Sequence, residues 1–310
     1  MGLSHPSGGN GKNNYINYVT DFVVVNRLPE TTGYNLVYFA IGIGLATPDQ
    51  PLSLISYHDI VLLAAFLAVM LSKMQASVAD AIHDYTVDKA NPEKAVIATA
   101  VETFSIEVLY TLLICEVTGA LVLWGWLTVQ TDSIIFLLIG AASSVLGFIY
   151  SYPPRLKERG ILNHLVTTGV DVAGVILPVA LIVGTPHQRN LIVPLAIVFL
   201  YGFGYHLVHQ AADTVYDSES GVSTFTQQIG ITTSVWLASE LTALAAVLAA
   251  GQAYFFGAIG LAAGSLGYAM LAIRIRTESP AVQCRQISRW FRIGVWAFIL
   301  NGLFAASLLV

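Results

Sequence analysis

The sequence predicts an all-α, polytopic membrane protein, a bundle of about nine transmembrane helices, and three observations predict it. Of 310 residues, 55% are hydrophobic and only 11% charged, against about 25% charged in a soluble domain. Mean hydropathy is +0.70, too high for a water-soluble fold to hide its apolar surface. The apolar residues also fall into runs of about 20, the length a helix needs to cross a bilayer. Net charge is −5 without a basic stretch, which argues for the lipid bilayer and against nucleic acid as a partner. Cys115 lies in an apolar run and Cys284 in a basic loop, a pattern that predicts neither a disulfide nor a zinc site.

Residues 1–30 are polar and Gly/Asn-rich and lack the apolar core of a signal peptide, so they are expected to form a cytoplasmic segment ahead of a single transmembrane domain, 31–310. The predicted spans are 32–47, 58–80, 104–128, 133–151, 163–184, 190–211, 231–251, 254–273 and 290–309, the first being short. Counting crossings, one set of loops carries Lys12, Arg27, Lys89, Lys94, Arg155, Lys157, Arg159, Arg274, Arg276, Arg285, Arg289 and Arg292, and the opposite set only Arg189. Cytoplasmic loops hold the excess of basic residues, so the N-terminus is expected inside the cell membrane and the C-terminus outside.

Two acidic clusters fall on the cytoplasmic side. Asp80, Asp84 and Asp88 follow one another at i, i+4 and i+8 at the end of the second span, with Asn91-Pro92 just beyond. On a helix they share a face and repel by roughly a few tenths of a kcal/mol per pair even in water, so a cation belongs among them. Asp213 and Asp217 repeat the spacing at the end of the sixth span. Four crossings separate the clusters, which suggests two similar halves. Either cluster alone reads as readily as a solvated, helix-capping loop; two on one side with matched spacing read better as a site. Mg2+ takes carboxylate oxygens, keeps waters and is shared with substrate phosphates, and would neutralise a diphosphate leaving group. Arg155 and Lys157, after the fourth span, are placed to contact phosphate oxygens. Arg159 is explained by topology alone.

These residues resemble the UbiA superfamily of intramembrane prenyltransferases, nine-helix bundles with two aspartate-rich motifs above a lipid-facing central cavity. The first motif of that family, Asn-x-x-x-Asp-x-x-x-Asp with Asn-x-Pro following, is met by Asp84, Asp88, Asn91 and Pro92, with Asp80 where Asn is usual. The second, Asp-x-x-x-Asp-x-x-x-Gly-x-x-Thr, is met by Asp213, Asp217, Gly221 and Thr224. Tyr-Ser-x-Pro-x-x-x-Lys is met by Tyr150, Ser151, Pro153 and Lys157. Departures mark a diverged member. Ala81 and Ala212 stand where an extra Asp and a basic residue are common, and only Arg27 and Pro29 approach the Arg-Pro entry to the first helix.

The resemblance implies ionisation of an isoprenyl diphosphate. Asp80, Asp84, Asp88, Asp213 and Asp217 are the expected metal ligands, with Mg2+ as cofactor and Lys157, Arg155 and Tyr150 as catalytic groups. Asp80, Tyr201, Tyr205 and His209 are the expected substrate contacts, and Phe203 and Trp236 further aromatic candidates to face the carbocation. The cation then either meets a lipophilic acceptor, the preferred reading, or attacks its own chain as in a terpene cyclase. His206 and His209 either pack in the bundle or serve the acceptor as pocket or base. Lys73, Glu102, Glu107, Glu116, Asp171 and Glu240 lie in or near apolar spans. Intramembrane charges also suit a secondary transporter with a duplicated bundle. The spans lack paired Gly/Pro breaks, however, and the acidic clusters sit at span ends rather than at mid-depth.

Overall fold

The computed structural model describes residues 11–46, 55–90, 94–184, 188–219 and 221–310, and every element within them is helical. Helix α1 (Gly11–Val25) precedes α2 (Leu28–Ala46), separated by a tight turn in which Arg27 is left-handed with φ 49°. The described part of the N-terminal segment is thus helical, and a boundary at residue 30 falls inside α2. Helix α3 (Ile55–His83) breaks at Asp84 and resumes as α4 (Tyr85–Ala90), followed by α5 (Ala95–Thr103). Asn91 and Pro92 lie outside the described residues. Next come α6 (Ile106–Thr131), capped by Ser105, whose hydroxyl accepts from the Val108 N–H at 3.4 Å, and α7 (Ile135–Ser151).

A 3-10 turn, Leu156–Glu158, leads to α8 (Ile161–Asp171), a π segment (Val172–Ile176) and α9 (Leu177–Val183). Pro178, lacking an N–H for the preceding turn, favours such a widening of the helix. The remaining helices are α10 (Gln188–Glu219), α11 (Phe225–Ile229), α12 (Ile231–Gly251), α13 (Phe255–Ile275), α14 (Pro280–Trp290) and α15 (Ile293–Leu309).

All nine predicted spans land on these helices, but the number long and apolar enough to cross a membrane is smaller. Among the described residues six qualify: Asp59–His83, Ile106–Thr131, Ile161–Val183, Leu191–Glu219, Ile231–Gly251 and Phe255–Ile275. A seventh is added if α14 and α15, bent by 49° at their junction, count as one. Helix α2 is diluted by Glu30, Thr31, Thr32 and Asn35, and α7 is only 17 residues long. The count of about nine is therefore not reached on length and hydropathy.

Helices α12 and α13 pack against each other, α10 against α12, α3 against α6 and α7, and α15 against α2. Small residues permit the close approaches. A Cβ on Gly204 would meet the Ala238 carbonyl of α12 at 3.1 Å, and one on Gly42 would meet the Ile176 carbonyl at 2.8 Å. Ser239 and Ser265 cross-link α12 and α13, each hydroxyl donating to the other's backbone carbonyl, at 2.8 and 2.9 Å. Large apolar side chains such as Ile60, Ile114, Val129, Val247, Ile259 and Met270 remain exposed, the pattern of surface that meets lipid instead of water. Cys115 and Cys284 are both free.

Candidate active site

The first acidic cluster keeps its helical register through the break at Asp84. The Asp84 N–H donates to the Asp80 carbonyl and the Asp88 N–H to the Asp84 carbonyl, both at 2.8 Å. The three carboxylates therefore share a face, as their spacing predicts, and cations gather on it. Arg27 Nη2 lies 2.8 Å from Asp80 Oδ2, while Ser151 Oγ donates to Asp80 Oδ1 at 2.7 Å. Lys157, largely buried in the 3-10 turn, reaches Asp80 Oδ1 at 3.3 Å and pairs more tightly with Asp84 Oδ2. Arg155 Nη2 stands 4.0 Å from Asp84 and its Nη1 pairs with Glu158 at 2.7 Å. Arg155 adopts a left-handed conformation (φ 55°) that turns the loop back toward the helix end. Arg159 is exposed and, among the described residues, its side chain donates only to the Pro154 carbonyl.

Across the cleft, Asp213 on α10 pairs with Lys94, whose Nζ is 3.0 Å from its Oδ2. Burial disfavours the Lys94 ammonium, yet Asp213 and Asp88 together hold its pKa above the usual lysine value. Asp217, one turn on, has no side-chain hydrogen bond among the described residues and lies within charge-interaction range of Asp213, Lys94, Lys157 and Asp84. The two clusters thus look at each other. After α10, Gly221 (φ 75°) turns the chain, and Thr224 caps α11 in a reciprocal box with Gln227. Asp88 is 2% exposed and its Oδ2 has no hydrogen-bond partner among the described residues. Burial pushes its carboxyl up to about 6, with Asp80 and Asp84 adding to the rise against Lys94 and Arg27.

Behind the clusters a cavity of about 1250 Å³ runs into the bundle. Arg27, Asp80, Lys94, Tyr150, His209 and Asp213 line its mouth, and Tyr205 lines it deeper in. His209 is exposed, but to this cavity. The other aromatic candidates turn away from it. Tyr201 is fully buried and donates to Asn301 of α15, Phe203 packs against His164, and Trp236 sits 38% exposed on α12. Glu102 pairs with Lys89 at the surface, Glu107 and Glu240 are exposed, and Glu116 is buried within the bundle. Sequence reasoning counted Lys94 only as a topology marker, and Arg27 as that and as a loose match to the Arg-Pro entry; the fold makes them the partners of Asp213 and Asp80.

Among the described residues no three His, Cys, Asp or Glu side chains converge into a ready-made cage. The donor set nevertheless suits Mg2+, which is commonly held by one or two carboxylates plus substrate phosphates. The orphaned, buried Asp88 Oδ2 and the unpaired Asp217 carboxylate are the oxygens such an ion lacks elsewhere.

Fold and site define a membrane-embedded helical bundle with an internal cavity opening between two aspartate helices. The chain belongs to the UbiA prenyltransferase family, whose profile matches residues 35–301. Among solved structures it is similar to a UbiA homologue from Archaeoglobus fulgidus bound to GPP and Mg2+ (17% identity, TM-score 0.64, covering 94% of this chain and 100% of that one). It is also similar to an apo UbiA homologue from Aeropyrum pernix K1 (16% identity, TM-score 0.64, 90% and 96% covered). A digeranylgeranylglyceryl phosphate synthase gives 13% identity and a TM-score of 0.63, with 94% and 98% covered. Among curated protein sequences, none matches the chain.

Proposed function

We propose that the protein is an Mg2+-dependent intramembrane prenyltransferase that ionises an allylic isoprenyl diphosphate and passes the prenyl group to a lipophilic acceptor. One observation carries this reading: Asp80 of α3 and Asp213 of α10 line the mouth of a cavity that continues into the apolar bundle, with Asp84, Asp88 and Asp217 one and two turns further along the same helical faces. Family membership and the GPP and Mg2+ held by the Archaeoglobus homologue support it. Asp84, Asp88, Asp213 and Asp217 would hold the metal, which when bound neutralises the diphosphate and so favours departure of the leaving group. Asp80 is engaged by Arg27, Ser151 and Lys157, and in this reading it orients the two cations. Lys157 and Arg155 stabilise the charge that develops on the leaving oxygen, and Tyr150 and His209 border the reacting end. The cavity excludes water from the cation.

The basic loops orient this mouth toward the cytoplasm, and the described N-terminal helix α1 lies on the same side. The matched aspartate spacing on α3/α4 and α10 supports a domain of two similar halves.

Purified protein in lipid nanodiscs tests the reading. It is expected to release pyrophosphate from geranyl, farnesyl or geranylgeranyl diphosphate with Mg2+, and EDTA to stop the release. If every chain length stays intact in the presence of Mg2+ and membrane lipid extract, the proposal fails. A cyclic hydrocarbon or alcohol as main product, without acceptor, would make the protein a terpene cyclase instead.

A further inference from the structure

The deep part of the cavity carries a charged cluster that diphosphate chemistry does not use. Lys73 of α3 pairs with Asp171 Oδ1 at the end of α8, and His206 Nε2 of α10 lies 3.1 Å from Asp171 Oδ2. The Tyr38 hydroxyl reaches the same Oδ2 at 3.5 Å and is hydrogen-bonded to Tyr205. The Asp171 side chain is 4% exposed, and Lys73, Asp171 and His206 all line the cavity. Lys73 precedes Asp80 and His206 precedes Asp213 by the same seven residues. At 1.5 Å per residue, the cluster lies about 10 Å from the acidic mouth along both helices.

Charges at this depth are costly and mark function by default. An isoprenoid tail has no group to pair with them. The π segment begins immediately after Asp171, and such widened turns concentrate at functional sites.

We infer that Lys73, Asp171 and His206 form the acceptor subsite, which seats the hydroxyl of an amphiphilic alcohol or phenol and takes its proton on His206. The inference rests on the prenyl-transfer reading above. Asp171, paired with Lys73, can only accept a hydrogen bond, so His206 carries its proton on Nε2. Nδ1 then has a free lone pair and no hydrogen-bond partner among the described residues. Lys73 spends one N–H on Asp171 and has others to orient the acceptor oxygen. In the transfer, the C1–O bond of the prenyl diphosphate breaks and its electron pair leaves on the diphosphate. A lone pair of the acceptor oxygen forms the new bond to C1. The hydroxyl proton passes to Nδ1, and Asp171 stabilises the imidazolium until product release readmits water to the cavity, which takes the proton.

The test uses the full chain in nanodiscs with geranylgeranyl diphosphate, Mg2+ and two hydroxyl amphiphiles, 1-O-dodecylglycerol and 4-dodecylphenol. Diphosphate release and the mass of prenylated probe are read in parallel. The wild type is expected to prenylate at least one probe. His206→Gln and His206→Ala are expected to lower probe transfer by about 10²-fold more than they lower diphosphate release. Added imidazole should restore transfer to His206→Ala, which a packing role would not allow. Asp171→Asn, altering the residue that positions the ring, should show the same split. Diphosphate release without prenylation of either probe overturns the inference, as does a parallel fall of both reactions without imidazole rescue. Absence of diphosphate release in the wild type sinks the underlying prenyl-diphosphate reading, a separate outcome.

Discussion

Lys157 serves two carboxylates at once, with only 9% of its side chain exposed. Removing it leaves Asp80 with Arg27 and Asp84 with the more distant Arg155 at 4.0 Å, and breaking a largely buried pair of this kind costs up to about 3–5 kcal/mol. Lys157→Met is therefore expected to lower the thermal midpoint of the solubilised protein and to slow diphosphate release by about 10²-fold. Arg159→Met, at an exposed side chain that donates to the Pro154 carbonyl, should leave both near wild type. Asp84→Ala and Asp217→Ala should each abolish turnover in a folded protein, while Glu219→Ala, exposed two residues beyond Asp217, should be mild. Equal loss in all three would point to general disruption of the loop. The aspartates were legible in the sequence because i, i+4 spacing keeps groups on one helical face wherever the helix ends. Their partners were not. Lys94 finds Asp213, and Lys73 finds Asp171 98 residues away, only through the packing of separate helices. Tyr201 carries the same aromatic cue as Tyr205, yet Asn301 on α15 takes its hydroxyl.

At the scale of elements, hydropathy located every described helix long and apolar enough to cross a membrane, because a span that must satisfy its backbone inside lipid leaves a long uninterrupted run, but it passed over the short apolar α5. It said less about α2 and α7, where polar residues or shortness are offset by packing against α15 and α3. The small residues hold finer information. Gly204 lets α10 approach α12 closely, with the Thr242 hydroxyl also 3.1 Å from where a Cβ would stand. Gly204→Val should push the two helices apart and destabilise the protein by about 1–3 kcal/mol, seen as a lower thermal midpoint in detergent. Because α10 also carries Asp213 and Asp217, activity should fall with it even though no group of the site is changed.

For the whole molecule, the exposed apolar belt and the acid-lined mouth imply a fixed orientation in the bilayer. A cysteine at Glu219, introduced with Cys115→Ser to remove the exposed native thiol, should react with an impermeant maleimide only from the cytoplasmic face. Labelling from outside would invert the proposed topology. Leu146 of α7 lines the cavity. Leu146→Trp should narrow it and penalise geranylgeranyl diphosphate more than geranyl diphosphate, by about tenfold in kcat/KM, since one blocked isoprene unit forfeits roughly 1–3 kcal/mol of apolar contact. Equal losses on both substrates would show that the tail takes another path.

Helix α10 runs unbroken from Gln188 to Glu219, with Pro194 well before the site, so His206, His209, Asp213 and Asp217 ride on one rigid rod. Their mutual phase is set by helical winding alone, near 100° per residue. Inserting one residue between His206 and Asp213 would swing one end of the site toward lipid while the other stayed in place. Evolution of a longer or shorter span between the two ends must therefore proceed by whole turns, or in both α3 and α10 together, because Lys73 and Asp80 keep the same seven-residue phase.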